Sequence, residues 1–180
     1  MKQTEWCVIT GAPCSGKTSV IRELQNRGHH VIEEVARLFI NEQLDKGRTL
    51  EEIKTDVLLF EKAILYRKLD IEKTLPTNER IFFDRAVPDS IAYFLIEDLD
   101  PLESFEKSRT HRYRSIFLFD RLALENDRVR SENDKKAEKI DFLLEDAYRR
   151  LGYEILRIPV MPVQNRTDSI LNHLRLLNNL

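Results

Sequence analysis

Residues Gly11, Ala12, Pro13, Cys14, Ser15, Gly16, Lys17 and Thr18 spell G-x-x-x-x-G-K-[ST], the spacing of a loop that wraps phosphate groups. Gly11 and Gly16 let the backbone curl so that successive N–H groups face phosphate oxygens. The positive end of the helix that carries Ser19 strengthens that field. Lys17 would reach the β- and γ-phosphates, and Thr18 would offer its hydroxyl to Mg²⁺. Such a loop needs a strand before it and a helix after it. Residues 6–10 are short and apolar, and residues 19–24 carry apolar side chains at helical spacing, so both are present. The chemistry this implies is nucleoside triphosphate binding, with ATP and Mg²⁺ as the expected pair.

Three further places carry side chains of the right kind. Ile81-Phe82-Phe83-Asp84 is an apolar strand ending in a carboxylate, the form in which an aspartate holds Mg²⁺ beside the phosphates. Arg85 follows at once, placed to reach a transferring phosphate or to hold the substrate; a plain surface arginine is the competing account. Glu33 and Glu34 end another strand. Neighbours on a strand point to opposite sides, so at most one faces the site. That one would take the proton of an attacking hydroxyl, unless it merely complements a helix dipole. Arg37, near the start of the next helix, would anchor an anionic or hydroxyl-rich acceptor, and a second arginine at 85 keeps an acceptor phosphate in play. Among Phe39, Phe60, Tyr66, Tyr93 and Phe94, expected mostly in the core, Tyr93 is the first candidate to line the acceptor pocket.

Residues 125–139 are charged almost throughout. Most read as solvated surface, but Arg128 and Arg130 follow a strand and suit a lid, around 121–139, that swings onto the phosphates. Other residues carry less. His29, His30 and His111 lack metal-ligand partners and are expected at the surface. Arg109, His111, Arg112 and Arg114 are expected in a solvated basic loop, and Asp89 or Ser90 as a helix cap. Cys7 and Cys14 suggest neither a disulfide framework nor a zinc site. The apolar loop 159–163 either braces a nucleotide base or simply leads out of a strand.

These residues must be positioned by a scaffold. Five apolar runs, 5–10, 30–34, 80–84, 115–120 and 153–158, are near-continuous, as in parallel strands covered on both faces. Helical patterns fill the gaps at 37–46, 50–75, 89–97 and 135–151, and a last one runs over about 166–177. Alternating strands and helices argue a three-layer α/β fold with a parallel sheet. The 180 residues suit a single domain, with neither repeats nor a linker. A net charge of -2 gives no general pull toward nucleic acid or anionic lipid. With no bilayer-length apolar run and a strand close behind the N-terminus, a cytoplasmic location without a signal peptide is expected.

Taken together, the phosphate loop, Glu34-Val35-Ala36-Arg37, Phe83-Asp84-Arg85 with Pro88-Asp89, and Asp127-Arg128-Val129-Arg130 resemble the AAA-domain family of P-loop proteins of the nicotinamide-riboside-kinase type. At longer range the chain is similar to deoxynucleoside kinases. The resemblance implies a five-stranded parallel sheet ordered 2-3-1-4-5. It implies that Glu34 contacts the acceptor hydroxyl, that Asp84 and Arg85 take the position of the Asp/Glu-Arg pair, and that Arg128 and Arg130 are lid arginines. No nucleotidyltransferase domain and none of the sensor regions of ring-forming machines are expected in these residues. The expectation is therefore a small P-loop kinase that moves the γ-phosphoryl group of ATP·Mg²⁺ to a nucleoside-like acceptor. The rival is an ATP-binding switch with partner-dependent readout. A classical guanine-specific GTPase is not expected, since Asp120-Arg121-Leu122-Ala123 supplies no N-K-x-D.

Overall fold

A computed structural model describes residues 1–122 and 132–178. Seven strands are present among them: β1 (Lys2–Gln3), β2 (Cys7–Thr10), β3 (His30–Ile32), β4 (Ile81–Asp84), β5 (His111–Arg112), β6 (Ser115–Phe119) and β7 (Ile155–Ile158). β1 pairs only with β5, and the other five make one parallel sheet in the order β3-β4-β2-β6-β7. Counted alone in chain order, the five run 2-3-1-4-5. The phosphate-loop strand β2 is thus central, with Ile9 opposite Asp84 on one side and Phe117 on the other.

Both faces of this sheet are covered, and the alternation of the central strand divides its side chains between them. Trp6 and Val8 join Phe83, Ile116, Ala147 and Tyr148 on one face. Cys7 and Ile9 join Phe82, Phe117, Val20, Leu24 and Ile170 on the other. The first face is packed by α5 (Asp89–Ile96) and α7 (Glu132–Arg150), the second by α1 (Lys17–Asn26) and α8 (Val163–Asn178). Each fully buried Val, Leu, Ile or Phe contributes about 1.5–3 kcal/mol. The fold is a three-layer α/β P-loop architecture.

The remaining helices are α2 (Val35–Asp45), α3 (Leu50–Ile53), α4 (Val57–Thr74) and α6 (Leu102–Lys107). The single helix expected over 50–75 is therefore two. Thr49 and Glu52 form a reciprocal capping box for α3, and Asp56 accepts from the Leu59 N–H to start α4. The strand expected over 30–34 stops at Ile32 on the half-buried edge of the sheet, releasing both glutamates.

Three expectations about surface residues are corrected. His111 is not a surface residue: it lies in β5, its Nδ1 2.9 Å from the buried Glu72 carboxylate, its ring 4.8 Å from Trp6. Arg109 is exposed as expected, but Arg112 and Arg114 are not solvated: Arg112 donates to the carbonyls of Leu151 and Gly152 while Arg114 grips Glu5 at 2.7 Å. Tyr66 is exposed rather than in the core, its hydroxyl donating to Glu103. Among the described residues no helix is long and apolar enough to cross a membrane.

Candidate functional site

The carboxyl edge of the sheet brings together the ends of β2, β3 and β4, where ligands of such sheets bind. The loop after β2 has three residues in the left-handed region: Gly11 at φ 142, Cys14 at φ 59 and Gly16 at φ 83. Gly11 is required on steric grounds as well, since a Cβ there would come within 2.8 Å of the Phe119 carbonyl oxygen. Lys17 is buried and spends its three protons on the loop itself: Gly11 O at 2.9 Å, Ala12 O at 2.9 Å and Ser15 Oγ at 3.0 Å. Burial, with Arg85 nearby, pulls its pKa well below the ordinary lysine range. Thr18 is half-buried beside it, Ser19 exposed on the next position of α1. Pro13, Cys14, Ser15, Gly16, Lys17 and Thr18 line one cleft, so a phosphate there meets the loop expected from the sequence. The thiol of Cys14 is exposed, whereas burial pushes that of Cys7 up to about 12.

At the end of β4, Asp84 is buried and its Oδ1 has no hydrogen-bond partner among the described residues. Burial, and then the neighbouring Glu34, push its carboxyl above the usual range. An orphaned buried carboxylate oxygen beside a phosphate cleft fits a hard cation such as Mg²⁺, which takes one or two carboxylates and completes its shell from phosphates and water. No group of three or more His, Cys, Asp or Glu side chains among the described residues could hold an ion unaided.

Arg85 is no surface arginine. It sits at φ 67, a strained conformation for a residue with a Cβ, and only 5% of it is exposed. Its N–H donates to Ile9 O at 3.1 Å and its Nε to Glu34 at 3.0 Å, and its guanidinium lies 5.2 Å from the centre of the Tyr93 ring. Its Nη1 has no hydrogen-bond partner among the described residues, its nearest carboxylate being Asp89 at 3.6 Å. Glu34, not Glu33, faces the site. It stands at the N-cap of α2 but makes no cap bond; its two oxygens take Arg85 and, at 3.2 Å, Arg37.

Asp89 was expected to cap α5, and the structure corrects this: the N-cap position is Pro88, and Asp89 is wholly buried as a hub. It accepts from Thr10 Oγ1, the Ala86 N–H at 2.9 Å and the Tyr148 hydroxyl at 2.6 Å. The hub ties the ends of β2 and β4 to α7 and so holds the strained Arg85 turn in place.

Two cavities meet at this edge. The first is the phosphate cleft; the second, about 380 Å³, lies between α2, α4, α5 and α7. Glu34, Arg37, Arg85 and Tyr93 line both. The candidate side chains at 17, 34, 37, 84, 85 and 93 are thus brought together, whereas Arg128 and Arg130 lie outside the described residues. Reading the sequence missed Glu61 and Lys68, which enter the second cavity from α4, and Arg166. Arg166 is buried in the first turns of α8, stacks 5.0 Å from the Phe119 ring centre, and donates to Ser15 O at 2.6 Å and Pro159 O at 2.9 Å. A helical arginine has no motif; only its nearness to the loop marks it. The loop 159–163 therefore serves through Pro159 as an anchor for Arg166.

A family model described as AAA domain matches residues 6–166. The chain belongs to the AAA-domain family. No curated protein matches it. Among solved structures, deoxyadenosine kinase from M. mycoides superposes on this AAA-domain chain with a TM-score of 0.64 at 15% identity, covering 96% of this chain and 99% of that one. Thymidylate kinase from Ehrlichia chaffeensis gives 0.64 at 13% identity, over 94% and 97%. NadR in complex with NAD and AMP-PNP gives 0.68 at 15% identity, over 93% of this chain and 48% of that one, so the AAA-domain chain spans about half of NadR. The fold is that of P-loop nucleoside and nucleotide kinases.

Proposed function

We propose that the protein is a kinase that uses ATP·Mg²⁺ to phosphorylate a hydroxyl of a small nucleoside-like metabolite. The observation that carries this is the shared wall: Glu34, Arg37, Arg85 and Tyr93 border both the phosphate cleft and a second cavity large enough for a nucleoside. A transferase must hold its acceptor beside the phosphate donor, and the adjoining cavity is a place for one. The folds of the deoxyadenosine and thymidylate kinases support the same reading.

In this reading the loop N–H groups and Lys17 hold the β- and γ-phosphates, Lys17 exchanging its loop carbonyls for phosphate oxygens. Thr18 and Asp84 would hold Mg²⁺, which would supply positive charge to the phosphates as they are transferred. Glu34 accepts or orients the acceptor hydroxyl, leaving Arg85 to face the transferred group with its unpartnered Nη1, and Arg37 steadies the acceptor near the mouth. Arg128 and Arg130 would add cations from the segment after β6. Phosphoryl transfer asks mainly for such positioning and charge.

The test incubates the protein with ATP·Mg²⁺ and a panel of nucleosides and nucleoside monophosphates, following ADP and phosphorylated product together. One acceptor is expected to give product, with turnover cut by 10²-fold or more in Glu34→Gln. ADP release indifferent to every acceptor would overturn the proposal in favour of a nucleotide-dependent switch. A monophosphate as sole acceptor would move the hydroxyl chemistry onto a phosphate held by Arg37 and Arg85.

A further inference from the structure

The second cavity has walls of two kinds. Phe60, Ile64, Tyr93 and Ile96 give flat or apolar flanks suited to a planar ring. Of its carboxylates, Glu34 is paired with Arg85 at 3.0 Å and Glu97 with Lys136 at 2.7 Å. Glu61, on the first turns of α4, is only 7% exposed, yet makes no hydrogen bond and no ion pair among the described residues. Burial raises its pKa, and the charges that act on it are Lys68, Glu97, Lys54 and Lys136, not those of the phosphate loop. Glu61 lines this cavity and not the phosphate cleft, whereas Glu34, Arg37, Arg85 and Tyr93 line both, so it belongs to the side of the cavity away from the phosphate loop. Two helical turns on, the buried Lys68 has Ser90 Oγ, at 3.2 Å, as its hydrogen-bond partner.

The Glu61 side chain is packed in, but its carboxylate faces the cavity and must take its hydrogen bonds from whatever fills it. No side chain among the described residues supplies them, and the carboxylate borders open space of the right size for a ligand. We propose that Glu61 selects the acceptor, favouring nucleosides whose base carries an exocyclic amino group over those with a carbonyl oxygen at the same position. The inference rests on the kinase reading and names the substrate class within it. With Glu34 and Arg85 at one end for the sugar hydroxyl and Glu61 at the other for the base, the cavity reads both ends of one molecule. A carbonyl oxygen at that position repels the carboxylate and leaves only the neighbouring ring N–H to donate, so the oxo analogue is held less well.

The experiment measures kcat/KM with ATP·Mg²⁺ for two matched pairs, adenosine against inosine and cytidine against uridine, each tried as the ribo- and 2′-deoxy form. The amino partner is expected to be preferred by about 10²-fold in at least one pair. In Glu61→Gln that ratio should shrink at least about tenfold, because an amide both donates and accepts. This variant removes a buried charge at constant volume, so its melting midpoint is expected at or above that of the wild type. A preference for the carbonyl partner, an indifferent wild type, or a ratio untouched in Glu61→Gln would overturn the inference. If no nucleoside is phosphorylated the kinase reading falls, and calorimetric binding of the same nucleosides decides the inference separately. An amino preference lost in Glu61→Gln sustains it; absent or indifferent binding overturns it.

Discussion

Replacing Asp89 by Asn keeps shape and removes one charge, which makes it a clean probe of the hub beneath Arg85. Suppose the amide oxygen stays on the Ala86 N–H, at 2.9 Å, and the Tyr148 hydroxyl, at 2.6 Å. The amide NH₂ then takes the place of the oxygen that accepts from Thr10 and lies 3.6 Å from Arg85 Nη1. Thr10 can turn its hydroxyl into an acceptor, but the guanidinium cannot, so donor faces donor. Hydrogen bonds to a charged group contribute about 1.5–3 kcal/mol each against about 1 for neutral ones. Three such bonds weakened, together with the lost attraction to Arg85, sum to about 3 kcal/mol. For a chain of this size that lowers the melting midpoint by about 6–12 °C. Tyr148→Phe should cost about 1–2 kcal/mol, leaving one acceptor site of Asp89 unmet. The double variant should cost less than the sum, since the two share a bond. Scanning calorimetry or urea titration reads all three. A midpoint for Asp89→Asn within about 2 °C of wild type would refute the claim that the charge at this hub holds the turn.

Two further outcomes follow from the loop. Arg166→Lys keeps a cation but cannot serve Ser15 O and Pro159 O at once, so ATP affinity is expected to fall about tenfold with a smaller change in kcat, read by calorimetric binding and steady-state kinetics; unchanged affinity would show that the brace is ornamental to nucleotide binding. Lys17 has a folded-state pKa below its unfolded value, because burial penalises the ammonium. Between those two values the unfolded chain binds more protons, so this residue makes wild-type stability rise with pH through that window. Lys17→Met should lack that slope, and parallel stability curves against pH for the two proteins would refute it.

How much of this could be read from the residues depends on how local the cause is. The phosphate loop is legible because glycines at both ends, a lysine and a threonine act within eight consecutive residues, and the φ values of Gly11 and Gly16 bear out the backbone reading. The parallel sheet is legible because a strand covered on both faces must be apolar at every position, as Cys7-Val8-Ile9 and Phe82-Phe83 are. Helix breaks were written in the sequence but overridden by apolar periodicity: Thr49 with Glu52, and Asp56, are caps whose grammar is explicit.

The residues that escaped are those whose meaning is made by partners far along the chain. Asp89 has the signature of a cap, and only the approach of Tyr148, 59 residues away, turns it into a hub. Arg166 reaches Ser15 across 151 residues. Glu61 and Lys68 stand seven apart on one helix whose apolar spacing leaves the place of its charges open, until α2 and α5 close over them. A charge in an amphipathic helix is ambiguous in one dimension, because the same spacing serves water and a ligand cavity alike. What separates the two is whether the charge finds a partner after folding. Glu97 finds Lys136 and Glu34 finds Arg85. Glu61 finds none among the described residues, and that unmet carboxylate is why the distal end of the cavity, rather than its mouth, is where the acceptor should be told apart.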